Sequence, residues 1–339
     1  MVIVVLEPDV SLKDKASIVR FVEKHGGRLL VSELGDATHI GLVDTAAQAL
    51  APMIREMPGV AEIRSEAPPY PQVSREHHNA DSVVDVSHVA VGGDEVIVMA
   101  GPCSVESAEQ ISIVSTGVAA AGARILRGGA FKPRTSPYSF QGLGEEGLHL
   151  LAAASKESGL PVVTEVVAPE DVELVGTYAH MLQIGARNMQ NFRLLSEVGA
   201  QPLPVLLKRG ISSTIEELLL AAEYVVSAGN PRVILCERGI RTFETVTRNT
   251  FDVSAVPVLK QKTHLPVIVD PSHAAGERSL VPALAAAGVA AGADGVLVEV
   301  HNDPDSALSD GAQSLTIPGF TDMMSRVKAV ADAVGRFIR

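Results

Sequence analysis

Four side chains that lie far apart in the chain, Cys103, His273, Glu299 and Asp310, offer a thiolate, an imidazole and two carboxylates. That donor set suits a divalent first-row ion such as Mn, Fe, Co or Zn. The spacing is not that of a short zinc knuckle, so it does not by itself separate a ligand from an inert buried thiol at Gly101-Pro102-Cys103-Ser104. Glu299 weighs toward the ion, because it sits inside the apolar run Val296-Leu297-Val298-Glu299-Val300, where a carboxylate without a cation is costly. A second group is cationic: Arg127, Lys132, Arg134, Arg187, Lys208 and Arg238 recur in a chain whose formal net charge is -12. Guanidinium forks grip carboxylate or phosphate through paired hydrogen bonds, so this set asks for a highly anionic ligand, such as two phosphorylated substrates. The competing reading is that part of the set forms rim ion pairs with Glu165, Glu237 and Asp270.

The elements that must position these groups are short apolar runs at 96–100, 124–127, 161–165, 181–184, 204–207, 232–236, 266–270 and 295–300. Each is separated from the next by enough chain for a crossover helix, which implies a parallel sheet covered on its outside. Eight βα units close into a (β/α)8 barrel, here spanning 81–339. An open doubly wound sheet is disfavoured, because no glycine-rich dinucleotide turn follows the first run. Almost every run is followed at once by a chemically capable residue: Cys103, then Arg127 with Lys132, Glu165, Arg187, Lys208 with Arg209, Glu237 with Arg238, Asp270 with His273, and Glu299. The C-terminal mouth of a barrel brings such strand ends together.

Ahead of the barrel, residues 1–66 read strand, helix, strand, strand, helix, strand (2–6, 11–24, 28–34, 39–42, 45–56 and 60–64), a ferredoxin-like βαββαβ unit. Ser11 followed by Asp14 marks the first helix start, and Gly26-Gly27 its stop. Residues 67–80, with Pro68-Pro69-Tyr70-Pro71 and a polar stretch through Asn79, read as a stiff, solvated linker in which His77 and His78 are exposed rather than metal-bound. A hairpin is expected at 82–91.

The bulk properties exclude several classes. An acidic chain has no broad face for nucleic acid or for an anionic membrane. Two cysteines, Cys103 and Cys236, are too few for a disulfide framework and suit a reducing, cytoplasmic setting. The apolar opening from Met1 to Leu6 is short, lacks preceding basic residues and breaks at Glu7-Pro8, so it reads as a strand and not as a leader or a spanning helix.

The segment from Leu126 to Leu143, with Lys132-Pro133-Arg134-Thr135-Ser136 at its centre, closely resembles 3-deoxy-D-arabino-heptulosonate 7-phosphate (DAHP) synthase. So do Gly101-Pro102-Cys103-Ser104, Ile184-Gly185-Ala186-Arg187-Asn188, Leu206-Leu207-Lys208-Arg209-Gly210, Cys236-Glu237-Arg238-Gly239, Asp270-Pro271-Ser272-His273 and Glu299-Val300-His301. The resemblance covers essentially the whole chain and is greatest to the type I beta subgroup, which carries an N-terminal ferredoxin-like regulatory domain. It implies a metal-dependent transferase that condenses phosphoenolpyruvate with erythrose 4-phosphate and water, releasing phosphate, at the start of the shikimate pathway to aromatic amino acids. It further implies Cys103, His273, Glu299 and Asp310 as metal ligands, and Arg127, Lys132, Arg187, Lys208 and Arg238 around phosphoenolpyruvate. Arg134 and Thr135 would hold the aldose phosphate. Lys132, Cys103, His273 and Glu165 form the expected catalytic group, with proton handling left open between Glu165 and a water on the ion. Feedback by tyrosine or phenylalanine through residues 1–66 and a homotetrameric assembly are implied as well, though these residues also suit a plain oligomerisation surface. The rival is 3-deoxy-D-manno-octulosonate 8-phosphate (KDO8P) synthase, which uses arabinose 5-phosphate. It typically reads Ala-Asn-Arg-Ser after the lysine, where this chain has Pro133-Arg134-Thr135-Ser136.

Overall fold

Every one of the eight apolar runs forms a strand in the computed structural model, which describes residues 2–34, 37–42, 47–64, 68–134 and 136–339. The chain divides into two units, Met1–Ala80 with Gln261–His264 and Asp81–Lys260 with Leu265–Arg339.

The first unit carries β1 (Val2–Leu6), α1 (Leu12–Lys24), β2 (Leu29–Leu34), β3 (Ala37–Leu42), α2 (Ala47–Arg55) and β4 (Val60–Arg64). All strand pairs are antiparallel, in the order β2-β3-β1-β4. Val2, Val4 and Leu6 of β1 project alternately from the strand into a core with Ile18, Val22, Ile40 and Ile54. Ser11 caps α1 by accepting the Asp14 backbone N–H at 3.1 Å, as its position ahead of the apolar stripe predicts. The expected start of the second helix at Thr45 and the expected boundary at residue 66 lie outside the described residues.

The stretch expected to be a solvated linker is not solvated throughout: Tyr70, Val73, Ser74 and His77 are buried. His77, expected to be exposed, has its Nδ1 3.1 Å from Ser32 Oγ, and its ring lies so close to Gly41 that a Cβ there would meet Cε1 at 2.9 Å. A side chain that sequence composition assigns to water is thus held by a close tertiary fit. His78 is exposed, as expected.

The second unit opens with a hairpin, β5 (Val84–Val86) and β6 (Val89–Val91), inside the range expected for it. The barrel strands follow: β7 (Ile97–Gly101), β8 (Ile125–Arg127), β9 (Val162–Glu165), β10 (Met181–Ile184), β11 (Val205–Lys208), β12 (Val233–Glu237), β13 (Val267–Val269) and β14 (Gly295–Glu299). They close in sequence order, β14 pairing β7, all parallel. The four hairpin valines pack in one cluster with the lumen residues Ile97, Met99, Ile125, Val163, Met181, Leu206, Ile234, Cys236, Ile268 and Leu297.

Strand periodicity then fixes what comes next. Two residues beyond a lumen residue, the side chain again points inward but one layer higher. Those positions are Arg127 after Ile125, Glu165 after Val163, Gln183 after Met181, Lys208 after Leu206, Arg238 after Cys236, Asp270 after Ile268 and Glu299 after Leu297. The register agrees, pairing Glu165 with Gln183 and Glu299 with Gly101 across neighbouring strands. An apolar plug therefore carries a layer of charged and polar groups at the C-terminal mouth. Among the described residues no helix is long and apolar enough to cross a membrane.

Candidate active site

Gly101 ends β7 at φ 154°, and a Cβ there would lie 2.0 Å from the Arg127 carbonyl oxygen. Only glycine allows the chain to run so close to β8, and the turn that follows delivers Cys103 to the mouth. There its Sγ lies 2.9 Å from Ser309 Oγ and 3.3 Å from Asp310 Oδ2. Asp310 has φ 53°, a left-handed conformation that aspartate tolerates better than most residues. Glu299 ends β14, 1% exposed, with Oε1 3.1 Å from Arg127 Nη1 and 3.5 Å from His273 Nε2. His273 lies in the short helix Pro271–Ala275, which Asp270 caps by accepting the His273 backbone N–H at 3.0 Å. Asp270 Oδ2 is also 2.8 Å from His273 Nδ1, so the ring turns Nε2 toward Glu299.

Three of the four expected donors, Cys103, Glu299 and Asp310, form a group that fits a divalent ion; His273 stands outside that group, its Nε2 reaching Glu299 Oε1 at 3.5 Å. One ligand atom each from Cys103, Glu299 and Asp310 lies within 4.8 Å of the others. Tetrahedral ligands at about 2.0–2.3 Å from an ion sit about 3.3–3.8 Å apart. The Cys103–Asp310 and His273–Glu299 separations of 3.3 and 3.5 Å fall in that range. Electrostatics points the same way. Burial, with Glu299 beside it, pushes the Cys103 thiol up to about 11, so it loses its proton at neutral pH only to a strong local cation. Burial keeps His273 below its ordinary value despite the adjacent carboxylates, which leaves the neutral imidazole that a metal ligand requires. For Asp310 burial acts upward, but the Arg248 guanidinium together with His273, the Cys103 hydrogen bond and Lys132 brings the carboxyl to about 2.

Beside this centre opens a cavity of about 560 Å³ lined by Arg127, Lys132, Arg134, Arg187, Lys208 and Arg238. Glu165, His273 and Asp310 line it as well. Lys132 Nζ lies 3.1 Å from both Cys103 Sγ and the Cys103 carbonyl oxygen. Lys208 is paired with Asp270 at the floor of the cavity. Arg187 comes from the turn Ala186–Asn188 after β10, and Arg238 stands directly after β12 with Nη2 3.4 Å from the His273 carbonyl oxygen. The ion-pair reading holds for Lys208 with Asp270; Arg209, outside that cationic set, is likewise spent on Glu237 at 2.9 Å and Asp252 at 2.8 Å. Glu165 accepts from Gln183 Nε2 at 3.3 Å and packs on Gly185, where a Cβ would lie 2.0 Å from its Oε1. Thr135 lies outside the described residues.

Sequence reasoning missed Gln183, Arg241, Arg248 and Asn249, all of which line the cavity. Gln183 was accessible by counting two residues on from Met181. Arg241, Arg248 and Asn249 sit on the long connection after β12, where no periodicity marks them.

The DAHP synthetase I family matches residues 72–334. Phospho-2-dehydro-3-deoxyheptonate aldolase of Thermotoga maritima is 47% identical over 333 residues, covering 98% of each chain. Its crystal structure, described as DAHP synthase, superposes with a TM-score of 0.80 at 46% identity, covering 100% of this chain and 99% of that one. A truncated form of the Thermotoga enzyme matches 80% of this chain with a TM-score of 0.75 and 48% identity. More distantly, 2-dehydro-3-deoxyphosphooctonate aldolase of Syntrophobacter fumaroxidans is 32% identical over 255 residues, 70% of this chain and 88% of that protein.

Proposed function

The chain belongs to the DAHP synthetase I family, and from that premise we propose that it condenses phosphoenolpyruvate with erythrose 4-phosphate and water to give DAHP and inorganic phosphate. The observation that carries this reading is a cavity lined by arginine and lysine that stands over the thiol and carboxylate cluster of Cys103, Glu299 and Asp310, with His273 Nε2 3.5 Å from Glu299. Phosphoenolpyruvate bears a carboxylate and a phosphate on adjoining atoms. Arg127, Lys132, Arg187, Lys208 and Arg238 neutralise both and fix the direction in which C3 points. Arg134, whose Nη1 is 3.3 Å from Ser309 Oγ at the edge of the ligand cluster, holds the phosphate of the aldose, with Thr135 next to it in sequence.

Cys103, His273, Glu299 and Asp310 would hold a divalent ion, which would supply Lewis-acid polarisation of the aldehyde oxygen. C3 of phosphoenolpyruvate bonds to the aldehyde carbon, water adds at C2, and phosphate departs with cleavage of its C–O bond. Glu165, held by Gln183 at the cavity wall, is placed to manage a proton during the addition of water. Lys132 spans Cys103 and the cavity and balances the thiolate's charge.

The relative that shares 98% of its length with this chain carries the heptonate name, whereas those with the octonate name align over shorter stretches at lower identity. The test is phosphate release from phosphoenolpyruvate with erythrose 4-phosphate against arabinose 5-phosphate. The four-carbon sugar is expected to give a kcat/KM at least about 10²-fold higher, the discrimination a specific pocket achieves. Equal rates, or preference for the pentose, would overturn the assignment.

For residues 1–66 we propose a sensor role toward an aromatic amino acid, tyrosine or phenylalanine. The support is the βαββαβ order of the first unit, most of which lies ahead of the residues that the family matches. Deleting residues 1–66 is expected to leave turnover within a few-fold of the intact enzyme while abolishing inhibition by these amino acids. An intact enzyme indifferent to both would end the idea.

A further inference from the structure

Each carboxylate of the ligand cluster turns one oxygen toward the other donors and one away, and both outward oxygens are held by side chains the mechanism above does not use. Glu299 directs Oε1 to His273 Nε2, while its Oε2 accepts from Gln313 Nε2 at 2.6 Å. Asp310 directs Oδ2 to Cys103 Sγ, while its Oδ1 lies 3.2 Å from Arg248 Nη1. The same Nη1 donates to Gln313 Oε1 at 2.7 Å. That contact fixes which end of the Gln313 amide is oxygen, and so obliges its nitrogen to face Glu299.

The two holders come from different parts of the rim. Gln313 is 2% exposed and ends the turn Gly311–Gln313 that follows Asp310. Arg248 stands on the connection after β12, its backbone N–H bonded to the Ala275 carbonyl oxygen at 3.0 Å. A buried amide satisfied at both ends by charged partners is a fixed strut, because losing either contact leaves a buried polar atom unpaired.

We propose that Gln313 is a positioning residue for the metal centre, with Arg248 as its anchor: together they hold the outward oxygens of Glu299 and Asp310 and so fix how each carboxylate meets the ion. The inference rests on the reading of Cys103, His273, Glu299 and Asp310 as ligands. Gln313 is the informative position, since its replacement by leucine changes no charge, whereas loss of Arg248 also removes a cation near the ion.

The experiment titrates Mn²⁺ into the full-length protein without substrates, followed by the electron paramagnetic resonance of free and bound ion. In Gln313→Leu the affinity is expected to fall about 10- to 100-fold, the usual cost of losing a partner behind a ligand. The spectrum of bound Mn²⁺ should change as the carboxylate reorients. In an Arg248→Ala background the same substitution should cost markedly less, because the strut has already lost its anchor. Gln313→Met takes the place of the leucine variant if that protein does not fold. Wild-type affinity and spectrum in a folded Gln313 variant would overturn the proposal, and an undiminished effect without Arg248 would overturn the anchoring. Wild-type protein that binds Mn²⁺ no better than Cys103→Ala would instead refute the ligand reading, and the proposal with it.

Discussion

Replacing Cys103 by alanine is expected to lower kcat by about 10³-fold or more, and excess Mn²⁺ should restore activity to chelator-treated wild-type protein but not to the variant. The size follows from the several kcal/mol that Lewis-acid polarisation contributes to a carbonyl addition, at about 1.4 kcal/mol per factor of ten. Cys103 is 1% exposed and Glu299 equally so, and their donor atoms share a cluster with Asp310. With the thiol pushed up to about 11 even beside the Lys132 ammonium, a further cation such as a bound ion is needed to turn this residue into a thiolate ligand. Phosphate-release assays before and after chelation and Mn²⁺ replenishment make the check. Full turnover in excess chelator would require another mechanism.

Asp270→Ala is expected to destabilise the barrel by about 3–5 kcal/mol, because it leaves the buried Lys208 ammonium without its counter-ion. Asp270 is 1% exposed, pairs with Lys208, stands against His273 Nδ1 and caps the helix that carries His273. Thermal unfolding should record a fall of about 10 °C for a domain of this size. The effect carries a pH signature. Burial acts to raise the Asp270 carboxyl, but the His273 donors and the Lys208 ammonium hold it well below the usual range. A group depressed in the folded state contributes stability that is complete above its unfolded pKa, about 3.9 for aspartate, and lost as pH falls toward the folded value. The gap between wild type and Asp270→Ala should therefore be full at pH 7 and narrow below about pH 4. A variant as stable as wild type at pH 7 would show that Lys208 does not depend on this carboxylate.

The barrel was legible because its strands repeat one physical pattern. Runs such as Val205–Lys208 bury completely and end on a charged residue, as β8, β9, β12 and β14 also do. The rim layer was legible in part for the same reason: Arg127, Glu165, Lys208, Asp270 and Glu299 occupy the inward position above a lumen residue. Gln183 obeys the same rule, but its uncharged amide carries no charge signal in the sequence. What could not be read were groups whose placement depends on long connections. Arg248 and Gln313 lie 65 residues apart and meet at 2.7 Å only because two rim loops fold toward each other. The burial of His77 likewise depends on Gly41 and Ser32 in another strand pair, a fit that local composition does not encode. Asp310 could be named from its chemistry, but its left-handed backbone, which turns the carboxylate toward Cys103, is a property of the folded loop.

An anomalous-difference map from crystals grown with Mn²⁺ tests the metal centre directly. The expected result is a single strong peak at the barrel mouth within about 2.0–2.4 Å of Cys103 Sγ, His273 Nε2, a Glu299 oxygen and an Asp310 oxygen. A map with no peak among these four side chains, or with its peak elsewhere in the protein, would contradict it.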